Sequence, residues 1–341
     1  MGITVVTGAS GHVGVNLVPT LLQRGDRVRV VDTRLDPMLA AWGVEWCPVD
    51  VCDGEAVARA LDGSEVVYHL AALISVVGGM AGRVERVNVG GVATVAAAAR
   101  RAGVRRLVHC SSVHAYDTAA MRHLLLDERA PKAARRSLPA YDRSKAAGER
   151  ALQAEVARGL DAVVCNPSGI LGPRDPAPSR MGRFFLALRA RRVPALVEGG
   201  FDWVDVRDVV DALVVAAEKG RVGENYLLGG RAASVRSLAE TASGVTGVPA
   251  PLVTLPLWFA RIWSPAATSV ARRTADPLLY TADTLHALDT FPHVDPAKAQ
   301  AELGFDPRPL AETIADLYAW FDRTGVDPAA VSWTPAARVI P

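Results

Sequence analysis

From the third residue onward, short β-branched runs alternate with alanine-rich stretches, and that alternation limits the chain to very few folds. Ile3–Thr7, Arg27–Asp32, Val44–Val49, Glu65–Ala71, Arg105–Cys110 and Leu160–Asn166 read as strands. Val13–Arg24, Glu55–Leu61, Arg83–Arg101 and Tyr141–Arg158 read as the helices between them. Strands this apolar are buried on both faces, which calls for a parallel sheet with helices on each side. Gly25, Gly103 and Gly159 follow three of the helices, where a left-handed cap residue belongs. After Pro167 the pattern changes to a loop over Gly172–Pro178, a helix over Arg180–Arg191, a return to the sheet over Trp203–Lys219 and a proline-rich tail. The expected architecture is a doubly wound α/β domain, residues 1–170 plus about 203–232. A smaller substrate-binding lobe takes about 171–202 plus 233–341.

Half of the 341 residues are hydrophobic and 22% are charged, which suits a globular chain with a sizeable core. A net charge of +2 excludes a protein that grips nucleic acid by electrostatics. No apolar run reaches the roughly 18 residues of a membrane helix. No basic segment precedes the first apolar stretch, so a cytoplasmic location is expected. Cys47, Cys52, Cys110 and Cys165 form no Cys-x-x-Cys pair, and no histidine cluster stands at ligand spacing. Reduced thiols and no metal are expected.

Thr7-Gly8-Ala9-Ser10-Gly11-His12-Val13-Gly14 follows the first strand and opens the first helix. Small residues at this G-x-x-G-x-x-G spacing let the backbone turn sharply and bring its N–H groups close to a pyrophosphate. Gly8, Ser10, Gly11, His12, Val13 and Gly14 are therefore candidate dinucleotide contacts. Asp32, ending the second strand, can accept hydrogen bonds from an adenosine ribose diol and repel a 2′-phosphate, which favours NAD. Arg34, two residues on, can hold a 2′-phosphate, so NADP stays open. Asp50 and Val51 are placed to touch adenine, and Leu70, Ala71 and Ala72 bring small residues past the cofactor at the end of the fourth strand.

Tyr141 and Lys145 stand four residues apart on one helical face. With six tyrosines and four lysines in the chain, about 0.07 such pairs are expected by chance. A cationic neighbour favours phenolate and would bring the phenol toward the working pH range. Such a group can give a proton to a carbonyl or take one from an alcohol. Ser111 and Ser112 follow the fifth strand, where a hydroxyl faces the same crevice and can orient the reacting oxygen.

Together these residues resemble the extended short-chain dehydrogenase/reductase family, also called NAD-dependent epimerase/dehydratases, with a Rossmann-type sheet. The resemblance extends through Ser111–Tyr116, Asn166-Pro167, Gly172-Pro173, Val204–Asp208, Lys298-Ala299 and Glu302–Phe305, nearly the whole chain. It implies that Ser112, Tyr141 and Lys145 carry catalysis and that Asn166 and Pro167 join the cofactor site. It also implies a homodimer through the Arg83–Arg101 and Tyr141–Arg158 helices. Two departures matter. Gly169 occupies the position where sugar-nucleotide epimerases carry asparagine, and Ser112-Val113-His114 lacks the Thr-Asp-Glu of dehydratases. The branch most resembled is that of dihydroflavonol reductases and 3β-hydroxysteroid dehydrogenases. The expected activity is NAD(P)-dependent hydride transfer to or from a ketone, aldehyde or secondary alcohol on a small, mostly apolar molecule. The alternatives are a sugar or sugar-nucleotide epimerase/dehydratase with tightly bound NAD, and a non-catalytic dinucleotide sensor. Arg180, Met181, Phe184, Phe185, Trp258, Phe259 and Trp263 are candidates either for an aromatic-lined pocket or for core.

Overall fold

The computed structural model describes residues 2–75, 80, 82–122, 124–274, 281–290 and 293–326; the end of the expected tail, 327–341, lies outside the described residues. Seven strands form one parallel sheet: β1 (Ile3–Thr7), β2 (Arg27–Val31), β3 (Glu45–Cys47), β4 (Ser64–His69), β5 (Arg106–Cys110), β7 (Ala162–Pro167) and β11 (Asn225–Leu228). Their order is β11-β7-β5-β4-β1-β2-β3. The other strands are short. β6 (Leu125–Leu126) pairs with β14 (His293–Val294), and β9 (Leu196–Val197) pairs with β13 (Thr254–Leu255). A three-stranded sheet runs β12 (Arg231–Ser234), β10 (Gly200–Asp205), β8 (Gly169–Leu171).

Alternate residues of the large sheet feed two separate cores, as the period of a strand requires. Val5, Val67, Leu107 and Val164 pack under α3 (Gly54–Ala60), α5 (Val92–Arg101) and α6 (Ala140–Val156). Val6, Tyr68, Val108 and Val163 pack under α1 (His12–Gln23), α2 (Pro37–Ala41), α8 (Val206–Lys219) and α12 (Ala297–Leu303). Two expectations need correction. Trp203 does not return to the large sheet: it lies in β10, beside β8, and only the following helix α8 packs back on that sheet. The returning strand is β11, four residues whose asparagine start and flanking glycines hid it in the sequence.

The smaller core gathers α7 (Arg180–Arg189), α9 (Val235–Thr246) and α13 (Leu310–Thr324) around the three-stranded sheet. Phe185 and Phe321 are completely buried there, and Tyr318 donates to the Phe185 carbonyl at 2.8 Å. Asp205, ending β10, ties this part to the rest by accepting from Thr313 Oγ1 at 2.8 Å and pairing with Arg207, which reaches Asp316 at 2.6 Å. α10 (Leu257–Thr274) and α11 (Ala282–Thr290) pack on its outer side.

The expected Arg83–Arg101 helix is broken into three parts. A first turn, α4 (Arg83–Glu85), leads through a wide π turn over Arg86–Gly91 into α5. The π turn aims Asn88 inward, where its amide donates to the Leu73 carbonyl at 3.0 Å and to Ser144 Oγ at 2.9 Å. α6 crosses this turn at backbone contact: a Cβ on Gly148 would stand 2.3 Å from the Asn88 carbonyl oxygen. Gly148→Val should therefore destabilise the protein by about 1–3 kcal/mol. Gly244→Ala, on an open helix surface with nothing within 4 Å, should be neutral or slightly stabilising. Urea denaturation of both variants measures the difference.

Candidate active site

The strand order reverses between β1 and β4, and the carboxyl ends of these two strands open the crevice where α/β folds bind ligands. Gly8 turns the chain there with φ of +67°, and a Cβ on it would lie 2.6 Å from the Ala71 backbone. A Cβ on Gly14 would lie 2.3 Å from the Ala9 carbonyl oxygen. Gly11 caps α1 without a side-chain hydrogen bond, so the helix presents uncovered N–H groups toward the crevice. Asp32 Oδ2 accepts from Ser10 N at 3.0 Å, and Ser10 Oγ donates to the Arg34 carbonyl at 2.8 Å. This cradle, narrow wherever a side chain would intrude and lined by N–H donors, fits a dinucleotide.

The remaining cofactor candidates divide. Leu70 and Ala71 are half-buried beside the turn and Ala72 is exposed. Arg34 is exposed next to Asp32, its amide 3.4 Å from Asp32 Oδ1. Asp50 Oδ1 accepts from Cys52 N at 2.9 Å. Val51 is buried in the core beneath the π turn, against Gly91. Val13 packs on the opposite core, and His12 turns its imidazole to the Pro173 carbonyl at 3.0 Å. Asn166 is fully buried; its amide nitrogen donates to the Ser112 carbonyl at 2.9 Å and to Glu149 Oε1 at 2.6 Å. Its side chain thus binds the Ser112 loop to α6, and Pro167 is buried at the end of β7.

Tyr141, Lys145 and Ser112 converge. The Ser112 hydroxyl lies on the Tyr141 phenol side, where it favours the ionised phenol, and its Oγ accepts from the His114 amide at 3.2 Å. Lys145 is buried with its Nζ 6.0 Å from the Tyr141 ring centroid, donating to the Cys110 carbonyl at 3.5 Å. Of the two serines it is Ser112, not Ser111, whose hydroxyl meets the phenol. The electrostatics differ from expectation. Burial pushes the Tyr141 phenol well above the usual tyrosine range, with Asp142 adding to the effect. The Ser112 hydroxyl and the charge of Arg180 oppose it without prevailing. Lys145 does not bring the phenol down, because removing a phenolate from water outweighs a cation held at that distance. Burial lowers the pKa of Lys145 itself, while Cys110 and Glu149 act to raise it. Beneath the site His69 and His109 stack at 5.2 Å; both are held neutral by burial, His69 with its pKa pushed down to about 3.

Several site residues carry no motif. Gly169 pairs with Trp203 between β8 and β10, and a Cβ on it would stand 2.6 Å from the Trp203 ring and 3.0 Å from Phe201. Phe201 meets Trp203 at 5.7 Å and stacks on His114 at 5.5 Å. His114 in turn meets the edge of Tyr141 at 5.5 Å, with Asp142 Oδ1 3.1 Å from its Nδ1. An aromatic ladder therefore leads from position 169 to the phenol. Only the glycine at 169 hinted at it in the sequence, since Phe201 in β10 and His114 in the turn Val113–Ala115 lie far apart along the chain.

The family model of the NAD-dependent epimerases/dehydratases matches residues 4–229. The chain belongs to the NAD-dependent epimerase/dehydratase family. It is 34% identical to sterol demethylase protein B of Methylococcus capsulatus, over 95% of this chain and 99% of the relative. It is 31% identical to a putative dihydroflavonol 4-reductase of Synechocystis, over 94% of both chains. Among solved structures, that of gox2253 superposes with a TM-score of 0.82 at 31% identity, covering 95% of this chain and 98% of the other. MoeE5, solved with UDP-glucose and NAD, gives 0.74 at 25% identity, covering 95% and 99%. The chain is an NAD(P)-dependent oxidoreductase of this extended family, with NAD as its cofactor. No helix among the described residues is long and apolar enough to cross a membrane, and none of their His, Cys, Asp and Glu side chains cluster as a metal site. With the Asp32 carboxylate held beside the glycine turn by the Ser10 amide, NADH should be preferred to NADPH, and Asp32→Ser should reduce that preference by about tenfold. Cofactor titrations followed by protein fluorescence read both values.

Proposed function

We propose that this enzyme interconverts a secondary alcohol and its ketone, or an aldehyde and its alcohol, on a small and mostly apolar substrate. The observation that carries the reading is the convergence of Ser112, Tyr141 and Lys145 at the carboxyl end of the sheet, with Lys145 Nζ 6.0 Å from the Tyr141 ring and bonded to the Cys110 carbonyl. Bound NAD supplies the hydride exchange. Tyr141 gives its proton to the carbonyl oxygen in reduction and takes it back in oxidation. Ser112 donates to the same oxygen and fixes its direction, and Lys145, anchored on Cys110, would hold the nicotinamide ribose. Because burial favours the protonated phenol, Tyr141 keeps its proton through neutral pH and suits the donor role.

The aromatic ladder supports an apolar substrate. Where nucleotide-sugar enzymes of the family carry an asparagine, the Trp203 and Phe201 rings fill the space beside Gly169. We further propose a homodimer through α5 and α6. Gly90, exposed in the π turn, and Ala93 and Ala97, half-buried on α5, leave that side of the chain shallow, which suits close helix packing. Light scattering at micromolar concentration should give about twice the chain mass; a monomer mass overturns the dimer. Tyr141→Phe should lower turnover by about 100-fold or more while leaving NADH binding near normal. In the wild type, alcohol oxidation should rise with pH as the phenol ionises, and this rise should vanish in the variant. Turnover within tenfold of wild type would refute the assigned role.

A further inference from the structure

β3 is the outermost strand of the large sheet, and two of its three residues, Glu45 and Trp46, are exposed. Trp46 is 41% exposed and, among the described residues, packs in neither core of the sheet. An indole this open adds little stability by burial. Its N–H is nevertheless engaged: Trp46 Nε1 donates to the Asp32 backbone carbonyl at 3.1 Å. The next residue, Cys47, accepts the Asp32 amide on its own carbonyl at 3.2 Å. Both backbone polar groups of Asp32 are thus held by adjacent residues of β3. On its other side the loop after β2 is knitted to Ser10 of the glycine turn. Ser10 N donates to Asp32 Oδ2 at 3.0 Å, while Ser10 Oγ donates to the Arg34 carbonyl at 2.8 Å and accepts from Asp36 N at 3.1 Å. Asp32 Oδ1 is met by the Arg34 amide at 3.4 Å, a long bond that leaves this oxygen free to accept from a ribose hydroxyl.

The two nicotinamide cofactors ask opposite things of this loop. A ribose diol needs the Asp32 carboxylate turned toward it, and a 2′-phosphate needs that carboxylate withdrawn and a guanidinium in its place. Arg34, exposed two residues beyond Asp32, carries such a guanidinium. A rotation of the Asp32 peptide would exchange the two side chains, and the Trp46 bond opposes that rotation. We propose that Trp46 is a positioning residue for cofactor choice: its N–H pins the Asp32 peptide, keeping the carboxylate on the ribose side and Arg34 clear of it. Trp46 acts through Asp32. An exposed tryptophan on an edge strand, otherwise a poor place for an aromatic ring, thereby has a task that burial does not give it. The inference concerns the cofactor and does not depend on which alcohol or carbonyl the enzyme takes.

The test is the binding of NADH and of NADPH to the full chain, followed by the fluorescence of the reduced nicotinamide. It needs no substrate, so its outcome is separate from that of the alcohol reading above. Trp46→Phe keeps an aromatic ring and removes the donor. The ratio of the NADPH Kd to the NADH Kd should fall by about fivefold, the effect of one hydrogen bond. In an Asp32→Ser background Trp46→Phe should leave the ratio unchanged, because the residue it acts through is gone. Equal weakening of both cofactors, the mark of a merely structural contact, overturns the proposal, and so does an unchanged ratio. A shift as large in Asp32→Ser as in the wild type overturns it, as does an Asp32→Ser variant that keeps the wild-type ratio. Should Trp46→Phe fail to fold, benzothienylalanine in place of Trp46, with sulfur where the N–H stood, gives the same reading.

Discussion

A buried carboxylate, that of Glu149, holds the reactive corner together. It stands one helical turn beyond Lys145 and receives Lys132 at 2.7 Å, Asn166 at 2.6 Å and Asn225 at 3.1 Å. Asn166 passes the connection on to the Ser112 carbonyl. Two strands, two loops and one helix are thereby joined around a single charge that is almost out of contact with water. A buried charge is tolerable only when its acceptors are satisfied, so losing one partner destabilises the whole set. The separation of Ser112 from Tyr141 depends on this set and on the contact of Gly148 with the π turn. Both fix how the two hydroxyls stand toward each other.

The same corner shows why the immediate neighbours of a phenol matter more than its sequence partner. Lys145 belongs to the motif, but it bonds to a backbone carbonyl under the ring. Burial then dominates the acidity of Tyr141. The charge of Arg180 acts against that rise without prevailing. The aromatic ladder from Trp203 to His114 sets apolar rings beside the phenol.

Much of this was legible in the chain because some constraints are local. The glycine turn, the alternation of strands and helices and the Tyr141–Lys145 spacing depend on residues within a few positions of one another. The parallel, doubly wound sheet and the family followed from them. Trp203 was misplaced because its apolar run fits either sheet, and only the pairing of Gly169 with Trp203 decides between them. β11 was missed because four residues between turns carry no periodicity. The π turn was invisible, since one extra residue per turn leaves an alanine-rich pattern unchanged. The bonds of Asn166 to Glu149 and Asn225 gave no sign because those partners lie far away in sequence. Long-range pairing of this sort carries no signal in spacing.

Arg174 adopts a left-handed backbone with φ of +52°, an unfavourable conformation for a residue with a side chain. It is held there by Asn16, whose amide nitrogen reaches the carbonyls of Pro173 and Arg174 at 3.2 Å, while His12 also contacts Pro173. The first turns of α1 thus support both the nucleotide turn and the loop that leads into the substrate lobe. Descendants of this chain have little freedom to reshape that loop without disturbing the dinucleotide grip, so diversification toward new substrates is channelled into α7 and β10, where no such shared anchor exists.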